Sequence, residues 1–327
     1  MAKTRWRVSK RDWLHFRLYD KFRKVSERAI RETTTAEAPW ILVEGEDSNY
    51  RSLTVGKDIL EAVRNRLEGS GQFGKHVTHV APLLPPIDNL YILQRLNLGL
   101  KLEKKEYEKQ LEKYQGKLNL LMRHPQMKNA SVVIVFEGND AAGKGGSIRC
   151  ITQALDARYY QIIPVASPTE EERAKPYLWR FWRRLPRLGR VMIFDRSWYG
   201  RVLVERVEGF CSTYDWMRAY AEINDFEEQL IEGDTLLFKF WLSISKEEQL
   251  ARFEARQKIG FKRFKITDED WRNREKWNAY EKAVCDMVDR TSNTSAPWTL
   301  VEANNKYYAR IKILQTLCKR NESRLEK

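Results

Sequence analysis

The sequence has no apolar run approaching the ~20 residues that a membrane-spanning helix needs. Its start, Met1-Ala2-Lys3-Thr4-Arg5-Trp6-Arg7, is basic and leads into no apolar segment, so neither a secretory leader nor a membrane anchor is expected. Cysteine is sparse. Cys150, Cys211, Cys285 and Cys318 stand far apart with no C-x-x-C spacing, which argues against a zinc site and against a disulfide framework and makes a reducing cytoplasm the expected compartment. Histidine is equally scarce: His15, His76, His79 and His124 all precede the motif described below, so phosphohistidine chemistry and a histidine-ligated metal are not expected.

Cationic residues are abundant instead. Lys and Arg number 59 against 45 Asp and Glu, a net charge of +14 that calls for a polyanionic partner or substrate. Nucleic acid, polyphosphate and an acidic membrane all fit that balance. With 327 residues and 42% hydrophobic content, the chain can bury the core of one large α/β domain with an appendage.

The organising stretch is Val132-Val133-Ile134-Val135-Phe136-Glu137-Gly138-Asn139-Asp140-Ala141-Ala142-Gly143-Lys144-Gly145-Gly146-Ser147. Five apolar residues read as a buried parallel strand, a glycine-rich turn follows, and a helical pattern runs from Ser147 to about Arg158. Gly138 and Gly143-Lys144 have the G-x-x-x-x-G-K spacing of a phosphate-binding loop. Glycines at that spacing let the backbone N–H groups of residues such as Gly138, Asn139, Ala141, Ala142, Gly143, Gly145 and Gly146 curl around a polyanion. The helix N-terminus adds its dipole and Lys144 reaches a phosphate oxygen. Gly145 stands where Ser or Thr would offer a hydroxyl to magnesium. Asp140, a carboxylate among donors suited to anions, is the expected replacement if a cation lies between it and the phosphates.

The first 70 residues are a repeat. Shifting them by 258 positions superposes Asp12-Trp13 on Asp270-Trp271, Ala38-Pro39-Trp40 on Ala296-Pro297-Trp298, Leu42-Val43-Glu44 on Leu300-Val301-Glu302, and Arg66-Leu67-Glu68 on Arg324-Leu325-Glu326, without a gap. A long helix, a short strand at Trp40–Val43 and a closing helix are expected at both ends. The first copy has no loop and no sheet of its own, so residues 1–68 read as the remnant of an upstream repeat. Residues 69–98, with Gly69, Gly71, Gly74, Pro82, Pro85 and Pro86, read as a linker, and 99–327 as the domain built on the phosphate-binding loop. A charged helix from about Leu98 to Met122 is expected to pack over the sheet edge through Leu100, Leu111, Leu118 and Leu121.

Further strands are expected at 160–165, 190–195, 234–242 (placed at the centre) and 297–302, giving a parallel five-stranded sheet in an α/β fold. Between Arg173 and Arg190 lie seven cationic residues and no acidic one, interleaved with aromatics; Arg180 and Arg183 belong to this basic, helical-looking wall. Asp195 ends its strand where a second magnesium-organising carboxylate is expected, and Arg196 and Arg201 follow as phosphate-contacting residues. A helix spans Tyr214–Glu232. Beyond Ser245 a second basic segment, Arg252, Arg256, Lys258, Lys262, Arg263 and Lys265, broken by Gly260, reads as a lid at about 252–267 that excludes water. A helix from Asp268 to about Arg290 and a final helix close the domain.

The strings Phe136-Glu137-Gly138-Asn139-Asp140-Ala141-Ala142-Gly143-Lys144-Gly145-Gly146, Phe194-Asp195-Arg196-Ser197-Trp198-Tyr199-Gly200-Arg201, Ala296-Pro297-Trp298 and Val301-Glu302-Ala303-Asn304 with Lys306-Tyr307 resemble the polyphosphate kinase 2 family. The resemblance implies a P-loop kinase-like fold similar to thymidylate kinases. It also implies transfer of phosphoryl groups between inorganic polyphosphate and nucleotides with Mg²⁺, or Mn²⁺ in its place. It assigns the phosphate cradle to Gly138, Gly143, Lys144 and Gly145, metal and acceptor activation to Asp140, metal organisation to Asp195, phosphate contact to Arg196 and Arg201, and chain contact to the lid cations. Within the family, fused double domains are associated with the branch that phosphorylates AMP to ADP; a homo-oligomer is also expected. The residues alone do not name the donor: an ADP- or GDP-using branch and an ATP-dependent nucleotide kinase share the loop. A non-catalytic nucleic-acid-binding module leaves Asp140 and Asp195 unexplained, so no nucleic-acid partner is expected.

Overall fold

Val132–Phe136 form the middle of the sheet because β-branched and aromatic side chains on both faces of a parallel strand need helices above and below. In the computed structural model, residues 8–35, 38–68, 84, 87, 91–260 and 266–326 are described. They fall into two units, 1–79 and 80–327.

In the second unit, α4 (Lys104–Arg123) leads to β1 (Ser131–Gly138), α5 (Lys144–Thr152), β2 (Tyr160–Pro164), α6 (Glu170–Arg173), α7 (Trp179–Trp182) and β3 (Val191–Asp195). After these come α8 (Val204–Glu208), α9 (Thr213–Glu232), β4 (Thr235–Ser243), α10 (Lys246–Gln257), α11 (Asp268–Glu275), α12 (Trp277–Thr291), β5 (Trp298–Glu302) and α13 (Lys306–Leu325). The five strands lie in the order β2-β3-β1-β4-β5, all parallel. The parallel α/β architecture expected from the sequence is present. The central strand is β1, not 234–242, which flanks it.

Alternation along the strands splits the core into two layers. Val132, Ile134, Phe136, Phe238 and Phe240 pack with α5, α13 and Leu118 of α4, while Val133, Val135, Phe194, Leu237 and Trp241 pack with α9, α12 and Trp198. α4 does not cover the sheet edge. It lies against α5 and α13: Gln115 and Asn119 donate to the carbonyls of Cys150 and Ala154, Lys117 pairs with Glu322, and Tyr107 stacks on Tyr307.

Three helical expectations change. The helix after the loop starts at Lys144 and stops at Thr152, because Gly143 at φ 107° caps it earlier than Ser147. The basic segment 173–190 is not one helix; Pro176 and Pro186 leave two single turns, α6 and α7. The helix expected from Asp268 breaks at Lys276, giving α11 and α12.

The first unit contains α1 (Lys10–Arg17), α2 (Tyr19–Thr33) and α3 (Ser48–Glu68). Adding 258 to the first residue of each gives the first residues of α11, α12 and α13. The hydrogen bonds repeat as well. Trp40 Nε1 donates to Thr33 Oγ1 at 2.7 Å and Trp298 Nε1 to Thr291 Oγ1 at 2.9 Å; Trp40 N and Trp298 N donate to the hydroxyls of Thr34 and Ser292. Ser9 with Asp12 and Thr267 with Asp270 form matching capping boxes. The strand expected at Trp40–Val43 is absent among the described residues. Its counterpart β5 is held by pairing to β4, a partner that the first unit does not contain. Trp40 is 58% exposed where Trp298 is 8%. Most of the expected linker lies outside the described residues, but Tyr91–Leu98 belongs to the second unit and places a short 3₁₀ turn, Ile92–Arg95, beside α12.

Candidate active site

β1 delivers the loop to the carboxyl end of the sheet, between β3 and β4. Gly138 must be glycine: at φ 151° a Cβ would stand 2.5 Å from the Leu242 carbonyl oxygen. Ala141 adopts φ 62° and Gly143 φ 107°, so the chain coils back before α5 begins. Ala142 is buried and donates its N–H to the Asn139 carbonyl; Asn139 receives the Ile244 N–H on Oδ1. Gly145 faces open space, while Gly146 lets the Arg310 guanidinium approach, its Nη2 lying 3.0 Å from where a Cβ would be. Lys144 Nζ donates to the carbonyls of Gly138 at 2.8 Å and Asn139 at 3.4 Å, which holds its ammonium inside the coil.

Asp140 is held from three sides. Its Oδ2 accepts from Asn273 Nδ2 at 2.9 Å, Oδ1 faces Arg196 Nη2 at 3.4 Å, and its carbonyl accepts from Gln249 Nε2 at 3.2 Å. Asn273 in turn accepts from the Tyr280 hydroxyl at 3.0 Å. Tyr280 also reaches Glu208, which takes Arg272 and Lys276. Arg196 has φ 64°, a left-handed conformation that is uncommon for a non-glycine residue and turns its side chain from the end of β3 toward Asp140 and Glu269. Asp195 is in register with Phe136 and makes no ion pair among the described residues. Beneath them Glu137 is buried and accepts from Ser197 Oγ at 2.7 Å; burial pushes its pKa up.

Glu137, Gly138, Asn139, Asp140, Lys144 and Arg196 therefore line one cavity of about 80 Å³. Arg201 does not. Its guanidinium lies over Tyr177 and against Glu205, beside a separate cavity of about 610 Å³. Arg180 and Arg183 are neutralised by Glu172 and Glu171, acids just before the basic run.

Arg252 is not a lid cation. At 6% exposure it lies under the loop, donating to the carbonyls of Ala141, Ala142, Ala303 and Asn304 and pairing with Glu248. Four carbonyls converging on one point need a five-donor guanidinium, and burial follows. Arg256 and Lys258 sit at the end of α10 with no acidic partner among the described residues. Lys262, Arg263 and Lys265 lie outside the described residues. A cationic patch that the sequence reading did not assemble comprises Arg256, Lys306 and Arg310; partial desolvation and the neighbours Arg252, Arg256 and Arg310 pull the Lys306 pKa down. Also unforeseen were Asn273, Gln249, Glu208, Tyr280 and Glu137; only Glu137, an acid closing an apolar strand, carried a visible signal.

The profile of Polyphosphate kinase 2 (PPK2) matches residues 2–70 and 101–327. The chain belongs to this family. It is 54% identical over 312 residues, 95% of its length, to the polyphosphate:AMP phosphotransferase of Pseudomonas aeruginosa, and 42% identical over 94% of its length to that of Acinetobacter johnsonii. It spans 63% and 61% of those two polyphosphate kinase 2 relatives. A Pseudomonas aeruginosa PA01 crystal structure assigned to polyphosphate kinase 2 superposes with a TM-score of 0.87 at 52% identity, covering 98% of this chain and 65% of that one.

Proposed function

We propose that this chain transfers a phosphoryl group from inorganic polyphosphate to AMP, giving ADP, and does so in the cytoplasm as a homo-oligomer. The terminal P–O–P bond of the polymer breaks, a new P–O–P bond forms to an oxygen of the AMP phosphate, and no other reactant is consumed. The observation that carries this reading is the convergence of Asp140, Lys144 and Arg196 on one cavity in a chain 54% identical to a polyphosphate:AMP phosphotransferase.

Phosphoryl transfer needs positioning and neutralised charge rather than covalent catalysis. Lys144 and the first amides of α5 hold phosphate oxygens, and Arg196 bridges toward the acceptor phosphate. The hard oxygens of Asp140 fit Mg²⁺ or Mn²⁺, which is held by one or two carboxylates plus substrate phosphates; Asp195 is the second candidate ligand. That ion would neutralise charge on the phosphate oxygens in transfer. Arg256, Lys258, Lys306 and Arg310 offer more positive charge than a nucleotide requires, which favours a polymeric anion as donor. In this reading the acceptor is a nucleotide and nucleic acid is not a partner.

Incubation of the protein with long-chain polyphosphate, Mg²⁺ and either AMP or ADP, followed by nucleotide chromatography, tests the reading. ADP formed from AMP supports it. ATP formed from ADP alone moves the chain to the diphosphate-using activity, and turnover with ATP but not polyphosphate refutes it.

A further inference from the structure

Arg272, Lys276 and Tyr280 recur at intervals of four across the junction of α11 and α12, where the helix breaks at Lys276. All three reach one carboxylate. Glu208 Oε2 pairs with Arg272 Nε at 3.0 Å and with Lys276 Nζ at 2.8 Å, and the Tyr280 hydroxyl lies 3.4 Å from Oε1. The Glu208 side chain is 3% exposed and ends α8, where the free groups of a helix are carbonyls that repel an anion. Both burial and that position disfavour a charge, so the two cations of the junction are what hold it there.

Two parts of the site meet at this point. α8 follows the arm that carries Asp195 and Arg196 out of β3, while Asn273, between Arg272 and Lys276, donates to Asp140 and accepts from Tyr280. Glu208 itself does not line the cavity of Asp140 and Lys144. We propose that Glu208 is a positioning residue for Asp140: by fastening the α11–α12 junction to the arm after β3, it sets Asn273 against the phosphate loop.

The repeat separates what the fold needs here from what the site needs. A shift of 258 positions preserves the structural contacts, since Asp270 becomes Asp12 in the capping box and Thr291 and Trp298 become the hydrogen-bonded Thr33 and Trp40. The helix break is preserved as well: α1 ends at Arg17 and α2 begins at Tyr19, the counterparts of Glu275 and Trp277. The stripe is not. Arg272, Lys276 and Tyr280 become Leu14, Leu18 and Phe22, and Asn273 becomes His15. Even Glu269, which pairs with Arg196, has the opposite charge in its counterpart Arg11. Helices of this pair therefore form and break without the polar stripe, and what the stripe adds in the second unit is the attachment to Glu208 and, through Asn273, to Asp140.

The inference rests on Asp140 serving the proposed phosphoryl transfer, and two readouts keep the two readings apart. Turnover of AMP with polyphosphate and Mg²⁺, and Mn²⁺ binding in the presence of AMP followed by electron paramagnetic resonance, are measured for Glu208→Ala, Asn273→Ala and the double variant. Arg272 and Lys276 are nearly half exposed and can be hydrated once the carboxylate is gone, so Glu208→Ala should fold. Each single substitution should lower kcat about tenfold or more and raise the Kd for Mn²⁺ several-fold, with KM for polyphosphate within about twofold. The double variant should match Asn273→Ala within about twofold in both readouts, because Glu208 acts through that amide. Glu208→Gln, which keeps one acceptor oxygen without the charge, should show the same pattern at smaller amplitude and takes the place of Glu208→Ala in the cycle if that variant does not fold. Single effects that multiply in the double variant overturn the proposal. So does a Glu208→Ala protein with a lowered melting temperature but unchanged kcat and Mn²⁺ affinity, or absence of Mn²⁺ binding to the unsubstituted protein. If polyphosphate does not phosphorylate AMP, the functional reading falls, while saturation of the Mn²⁺ effect in the double variant still supports the positioning role and its absence overturns it.

Discussion

Asn273 Nδ2 donates to Asp140 Oδ2 at 2.9 Å, so α11 is fastened to the carboxylate inside the phosphate loop. The Asp140 carboxylate only accepts, so the Asn273 NH₂ group faces it and Oδ1 is left to the Tyr280 hydroxyl. The carboxylate proposed to hold a metal is thereby aimed, and its aim depends on the position of α11.

Removing this contact should affect metal use before substrate affinity. A hydrogen bond to a charged group is worth about 1.5–3 kcal/mol, so Asn273→Ala is expected to lower kcat by one to two decades. The Mg²⁺ concentration for half-maximal rate should rise, with KM for polyphosphate little changed. Titration of the rate with Mg²⁺ checks this; an unaltered half-saturation point would show that α11 does not position Asp140.

Arg252 and Arg256 lie one turn apart on α10 and should behave in opposite ways. Arg252 braces four carbonyls beneath the loop and in β5's exit, and a buried acceptor left without its donor costs about 1–3 kcal/mol. Arg252→Ala should therefore lower the midpoint of thermal unfolding together with activity. Arg256→Ala should leave that midpoint in place, raise KM for polyphosphate, and flatten its dependence on salt, since each cation withdrawn from a polyanion contact removes about one counterion's worth of slope. Melting curves and KM at two salt concentrations distinguish them.

That contrast shows where the sequence could be read and where it could not. The sheet was legible because its strands are short, largely apolar runs, three of them ended by Gly138, Asp195 and Glu302, and the loop because its spacing is local. Tertiary burial was not. Nothing in the order of residues tells that Arg252 is buried under the loop while Arg256, one turn further along the same helix face, is only half-buried, since both are cations four apart in a basic segment. Asn273 is 133 positions from Asp140, and a single amide in a polar helix has no pattern to announce it. The repeat was legible to the residue, down to Thr33 and Trp40 reproducing the hydrogen bond of Thr291 and Trp298. Its strand was not, because strand formation depends on a neighbouring strand rather than on local sequence.

The cysteines, whose spacing argues against a zinc site and a disulfide framework, are also poorly reactive for a physical reason. Burial pushes the thiols of Cys150 and Cys318 up to about 11, and Cys285 is raised by the same cause. Because the thiolate is the reactive form, these thiols stay protonated and closed to reagent at pH 8. Iodoacetamide at that pH should label the half-exposed Cys211 first, slowly, and the other three only when the protein is unfolded. Mass spectrometry of the labelled peptides reads the order; rapid labelling of Cys150 in folded protein would contradict it.

The largest stability effect is expected far from the loop, at Lys239 and Glu227. Both are fully buried. Lys239 Nζ donates to Glu227 Oε2 at 2.7 Å, to the Thr291 carbonyl at 2.6 Å and to Tyr199 Oη at 3.1 Å, while Glu227 Oε1 receives Trp198 Nε1 and the Tyr199 hydroxyl. The pair thus anchors the stretch between Asp195 and Arg201 from below. Desolvation raises the Glu227 pKa and lowers that of Lys239, so each residue's charge is retained through the other and through the hydrogen bonds around them. Lys239→Met alone leaves a carboxylate in the core and should cost about 3–5 kcal/mol; Glu227→Leu alone should cost as much by stranding the ammonium. The double substitution removes both charges, and its cost should be well below the sum of the two single costs. Tyr199 and Trp198 then lose their acceptor, so full recovery is not expected. Denaturant unfolding of the four proteins closes the cycle. Additive single costs would mean that the two charges are stabilised independently and that the pair does not hold the Arg196 loop as a unit.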